Sequence, residues 1–148
     1  MKIVKHGDND FVHNFGTECH SASTESPSEV FTSGTMTHAV STGKRSMTET
    51  WGEHSHACAT GDESWVATKG SMSIACGLGY RARVQAEDGW LVIADWRGAL
   101  DNKRLHAVYA VQVGGTLCGI EVDPWHSYCF IDGLLTECED IVSDDWQG

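Results

Sequence analysis

Polar and apolar residues alternate along the first half of the chain in short runs, and the runs recur every nine residues. Read from Gly7 to residue 87, the units are GDNDFVHNF, GTECHSAST, ESPSEVFTS, GTMTHAVST, GKRSMTETW, GEHSHACAT, GDESWVATK, GSMSIACGL and GYRARVQAE. Glycine opens eight of the nine units, with Glu25 the exception, and glycine suits the tight turns such a repeat needs. Within units four, six and eight, small residues alternate with variable ones. A period of two signals a strand with one face turned inward.

The alternate units differ in a regular way. The sixth position reads Val12, Val30, Thr48, Val66 and Val84 in odd units, but Ser21, Ala39, Ala57 and Ala75 in even units. The repeat is therefore eighteen residues long, with two strands and two turns per coil. Larger valines on one sheet face smaller alanines on the other, so the two layers can pack closely. The pattern predicts an all-β, two-sheet β-solenoid (a β-roll) over 7–87, roughly 22 Å tall at the spacing of stacked strands. Glycine every ninth residue argues against helices. Disorder would give no reason for the ordering of valine against alanine.

After the ninth unit the pattern changes. WLVIADW (Trp90–Trp96) and RLHAVYAVQV (Arg104–Val113) read as strands. YCFI and LLTEC flank Asp132–Gly133, a strong hairpin signal. These segments predict a four-stranded antiparallel meander over 88–139 that caps the last coil and supplies Trp90, Trp96 and Trp125 as large apolar groups. Residues 140–148 read as an acidic, frayed tail.

Charge adds a constraint on partners. The formal net charge is −11, divided as −3 over residues 1–87 and −8 over 88–148. Such a surface repels nucleic acid and anionic membrane, but it can engage a basic protein surface, including one that normally holds nucleic acid. Glu137, Glu139, Asp140, Asp144 and Asp145 crowd the C-terminal end, with no Lys or Arg after Arg104. The opening MKIVKHGDND lacks the apolar core of a signal peptide, and no apolar run approaches the ~20 residues that span a bilayer. The expectation is a cytoplasmic protein with free thiols.

Repeats of the form GxxSxAxAT, then GYRARV, WLVIADW, AVYAVQVGG and YCFIDG, resemble an uncharacterised family of bacterial and phage proteins. The resemblance implies a phage or mobile-element setting and no assigned activity. The repeats are also similar to the β-roll heads of trimeric autotransporter adhesins. Those heads belong to secreted, membrane-anchored proteins, and neither stalk nor anchor is evident here.

Candidate chemistry is sparse. Calcium-binding nonapeptide rolls repeat paired glycines and an aspartate in each turn, and this chain repeats neither. On the even face, the outward fifth positions stack His20, His38, His56 and Ile74, while the seventh positions stack Ala22, Val40, Cys58 and Cys76. This mixed stripe predicts an interface for another subunit or a partner. His38, His54, His56, Cys58 and Cys76 carry ligand types suited to zinc, although a flat sheet holds side chains parallel rather than converging. Cys19 falls inward as a small core residue. Cys129 and Cys138 flank the hairpin turn, where pairing calls for an oxidising compartment. No nucleophile elbow, phosphate loop or helix-borne metal motif is present.

The expectation is a non-enzymatic module without a cofactor that self-associates and docks onto a protein partner, in concrete form a phage-encoded inhibitor with a nucleic-acid-like acidic surface. A virion or scaffold component is the alternative, and a metal-binding protein a further one.

Overall fold

A computed structural model describes residues 2–5, 11–24 and 26–138. Among these, every regular element is a strand. In chain order they are β1 (Lys2–Lys5), β2 (Phe11–Phe15), β3 (His20–Ser23), β4 (Glu29–Ser33), β5 (His38–Ser41), β6 (Met47–Trp51), β7 (His56–Ala59) and β8 (Trp65–Lys69). There follow β9 (Ser73–Gly77), β10 (Arg83–Ala86), β11 (Gly89–Arg97), β12 (Arg104–Gln112), β13 (Thr116–Leu117), β14 (Ile120–Glu121), β15 (Ser127–Ile131) and β16 (Leu134–Cys138).

Odd and even units separate into two sheets, as the eighteen-residue repeat requires. One sheet runs β1-β3-β5-β7-β9-β11-β12 and the other β16-β15-β10-β8-β6-β4-β2. Parallel neighbours within the repeat are offset by eighteen residues: Val30 pairs with Thr48, Thr48 with Val66, and Val66 with Val84. Val12, Val30, Thr48, Val66 and Val84 are fully buried, facing buried Ser21, Ala39, Ala57 and Ala75 across a narrow interior.

Some buried hydroxyls pair with one another. Ser41 meets Thr48 at 2.6 Å across the two sheets, and Thr37 meets Ser55 at 3.1 Å from coil to coil. Small hydrogen-bonded residues let the layers approach where larger ones would hold them apart.

The opening glycines do two different jobs. Gly16, Gly34, Gly52 and Gly70 have φ between +127° and +148°, a region that strongly favours glycine. Gly61 and Gly79 lack that conformation, but a Cβ on Gly61 would lie 2.1 Å from the Gly43 carbonyl oxygen. Stacked turns leave no room there. Gly61→Ala is therefore expected to lower the melting temperature well below that of Gly114→Ala. Gly114 has φ +92° with open space around it, so alanine there meets only the left-handed strain of about 1–2 kcal/mol. Parallel thermal melts check this order.

The array extends beyond the expected limits of 7–87. At its start, β1 pairs in parallel with β3, with Lys2 beside His20, so a strand precedes the first unit. At its end, β11 pairs in parallel with β9, with Gly89 beside Ser73 and Trp90 beside Ile74. This last offset is sixteen residues instead of eighteen. Gly89 (φ +103°) still performs the glycine task, because a Cβ there would lie 2.0 Å from the Ser73 carbonyl.

The closing strands are antiparallel, but they do not form one meander. β12 pairs with β11 at the end of the first sheet, whereas the β15–β16 hairpin adds to β10 at the end of the second. Each sheet is thus continued by its own antiparallel strands. The reason is apolar: Tyr128, Phe130 and Leu135 bury against Leu91, Ile93 and Val111, closing the interior between the sheets. The Asp132–Gly133 turn has positive φ at both residues, as a tight hairpin of this kind requires. Trp96 donates to the Leu78 carbonyl at 2.9 Å and the Tyr80 hydroxyl to that of Gly98 at 3.1 Å, tying the end of β11 to the repeat.

Candidate functional site

The outer face of the first sheet carries the expected stripe, and the register extends it. His20, His38, His56, Ile74 and Trp90 form one row, and Ala22, Val40, Cys58, Cys76 and Val92 the next. They point outward because their neighbours Ser21, Ala39, Ala57, Ala75 and Leu91 fill the interior. The His20 and His38 rings stack at 4.8 Å with planes 2° apart, and His38 meets His56 edge-on at 4.9 Å. Burial, then the neighbouring His56 and His20, hold the His38 imidazole below its ordinary value.

A shallow groove of about 550 Å³ runs beside the histidines, lined also by Glu18, Met36, His54 and Met72. These four occupy the third positions of even units, and all have φ near +57°. They belong to turns, so His54 reaches the groove from the coil edge and not from the strand. Among the described residues no three His, Cys, Asp or Glu side chains gather as a metal site would need. His38 and His56 meet edge-on in one row, Cys58 and Cys76 stand in the next, and His54 enters from a turn, so the five residues are divided between two rows and a turn. Cys58 and Cys76 lie side by side on paired strands, and the hydrogen bond between them draws the Cys58 thiol down to about 7.

This face carries several exposed apolar side chains. Met36, Val40, Met72, Ile74 and Trp90 are each exposed by a third or more. Trp90 and the two methionines were not in the expected stripe. The third-position series Glu18, Met36, His54, Met72 was readable once the coil was known.

The outer face of the second sheet differs. Phe15, Phe31 and Trp51 pack edge to face along the coils at 6.0 and 5.7 Å, with the Lys69 ammonium 4.7 Å above the Trp51 ring. Beneath them Glu49 is only 5% exposed and accepts a hydrogen bond from the Trp51 indole. Burial chiefly pushes its carboxyl up to about 7; Glu29 adds to the rise, while Trp51 and Lys69 oppose it.

Near the C-terminal hairpin this face forms a cavity of about 470 Å³. Arg45, Glu63 and Arg81 enter it from stacked turns, Trp65 and Arg83 from paired strands, and Cys129, Ile131 and Cys138 from the hairpin. Three of the chain's ten Lys and Arg meet here, in a protein that is acidic overall.

The acidic end is represented by Glu137, which is exposed and paired with His126. Glu139, Asp140, Asp144 and Asp145 lie outside the described residues. No helix among the described residues is long and apolar enough to cross a membrane.

A scan against protein-family models finds no match, and no curated protein or solved structure proves similar to the chain. The likenesses drawn from the repeats and the C-terminal motifs rest on those motifs alone.

Proposed function

We propose that this chain is a non-enzymatic binding module that docks the outer face of its first sheet onto a basic protein surface. The observation that carries this reading is the set of exposed apolar side chains Met36, Val40, Met72, Ile74 and Trp90 spread around the histidine row on one face. Methionine and aromatic groups are favoured at contact surfaces. A backbone-paired sheet loses little freedom on docking, which favours affinity. The net charge of −11 supports a basic partner and steers its approach. The concrete form of the reading is a phage- or prophage-encoded inhibitor of a host complex that handles nucleic acid, acting in the cytoplasm.

The test compares the parent with the Val40→Asp/Ile74→Asp double variant in binding to a purified basic partner, first captured from bacterial lysate. Both positions point to solvent, so folding should persist. The parent's affinity is expected to fall as salt rises, and the variant to lose at least tenfold at fixed salt. Equal binding by the two proteins would remove this face from the working surface.

One observation favours a second reading, a self-assembling scaffold. The first sheet ends at β12, whose outer edge pairs with no described strand and bears half-exposed Leu105 and Val108. Light scattering at tens of micromolar should then show a symmetric oligomer that Val108→Lys dissociates. A strict monomer would leave docking to a foreign partner.

A further inference from the structure

We propose that Cys129 and Cys138 form a redox-active dithiol that exchanges with small anionic disulfides held in the arginine-lined cavity. The register places Cys129 opposite Thr136 and Cys138 opposite Ser127, so the two cysteines are diagonal neighbours on one face of the β15–β16 hairpin. Their sulfurs lie 2.8 Å apart. Both line the cavity, and three guanidinium groups, Arg45, Arg81 and Arg83, line it with them. Arg81 is tethered near Asp132 at 3.7 Å, and Arg83 lies 5.5 Å above the Trp65 ring, so two of these charges are held in place.

The two thiols are not equivalent. Cys129 is 2% exposed, whereas Cys138 is partly open. The hydrogen bond from Cys129 is the main influence lowering the Cys138 thiol to about 7, and Arg83 assists it against burial and Glu137. A thiolate beside arginine is the nucleophilic form of cysteine. Cys138 is therefore the attacking thiol and Cys129 the resolving one.

The chemistry balances with one disulfide. The Cys138 thiolate attacks one sulfur of R–S–S–R, and the S–S bond breaks as the mixed disulfide forms. One RS⁻ departs and takes up a proton. Cys129 then gives up its proton and attacks the Cys138 sulfur, so that the second thiolate leaves as RSH. Two electrons pass from the dithiol to the substrate, leaving a Cys129–Cys138 bond and two RSH. Carboxylates on R would meet the guanidinium groups, which match carboxylate geometry. The resulting bond would staple the hairpin that closes the second sheet.

This assignment does not depend on the docking reading. The experiment treats reduced full-length protein near pH 7 with oxidised glutathione (anionic), hydroxyethyl disulfide (neutral) or cystamine (cationic). Peptide mapping follows the products, and each rate is divided by that of free cysteine with the same reagent. The expected product is the Cys129–Cys138 cross-link, formed about tenfold faster with oxidised glutathione than with cystamine on this scale. Cys129→Ser should stop at a mixed disulfide on Cys138, and Cys138→Ser should give neither product at this site. Arg81→Gln/Arg83→Gln should cut the ratio of the oxidised-glutathione rate to the hydroxyethyl disulfide rate by about fivefold, a ratio that cancels any slowing of both reactions through the Cys138 thiol. Absence of the cross-link in the parent, while exposed Cys118 is modified, would overturn the proposal. Equal relative rates with all three reagents would overturn the anionic specificity.

Discussion

Val66→Asp should shift the urea unfolding midpoint of this protein far to the left, or abolish the folded state at pH 7. Val66 is fully buried, paired between Thr48 and Val84, and packed in the core with Ala57, Ala59 and Ala75. No Lys, Arg or His lies among these neighbours to receive a carboxylate. An unpartnered buried charge costs several kcal/mol, against a total stability of about 5–15 kcal/mol for a domain of this size. Val66→Ala serves as the neutral comparator and should lose less, because it leaves only a small void in a narrow core. Met72→Asp, in an exposed turn, should stay within about 0.5 kcal/mol of the parent. A Val66→Asp protein that melts like the parent would place the side chain outside the interior and refute the eighteen-residue register.

That register was legible because the chain repeats its local decisions. Valine or alanine at the sixth position distinguishes the sheets, and a buried pair such as Val84 beside Val66 follows by counting. What counting does not reach is any step that leaves the period. The sixteen-residue offset of Gly89 onto Ser73 shifts Trp90 into the histidine row, and nothing in WLVIADW announces a parallel partner. Likewise, YCFI and LLTEC were readable as a hairpin, but their docking onto β10 depends on Tyr128 and Phe130 finding the space above Leu91 and Ile93. The arginine-lined cavity joins Arg45 to Cys138, ninety-three positions apart, and it exists only because of that docking. The histidine stripe was read from periodicity, and the stacked geometry matches it. Partner identity was illegible for a different reason: a docking face needs only exposed apolar area and charge, and neither names its target.

Glu49→Gln is expected to be more stable than the parent by about 3 kcal/mol at pH 8, while the two are nearly equal at pH 4. Glu49 sits in register between Phe31 and Ala67 on the outer face of the second sheet, beneath Trp51 and nearly inaccessible to solvent. In the unfolded chain its carboxyl ionises near the ordinary 4.5, and in the folded protein it holds its proton to about 7. Between those values the folded state binds more protons than the unfolded one. Stability from this residue is therefore complete below about 4.5, is lost as pH rises to about 7, and is level beyond that. Glutamine never ionises, and its amide oxygen can keep the bond from the Trp51 indole, so the variant escapes the loss. The remaining carboxylates titrate in both proteins, so the variant-minus-parent difference isolates this site. Unfolding free energies measured at one-unit steps from pH 4 to pH 8 should trace a rise confined to the window from about 4.5 to 7. A difference that is flat across that window would mean that the carboxylate is hydrated and ionised like a surface glutamate. In that case the Phe31–Trp51 packing above it cannot be as close as 5.7 Å.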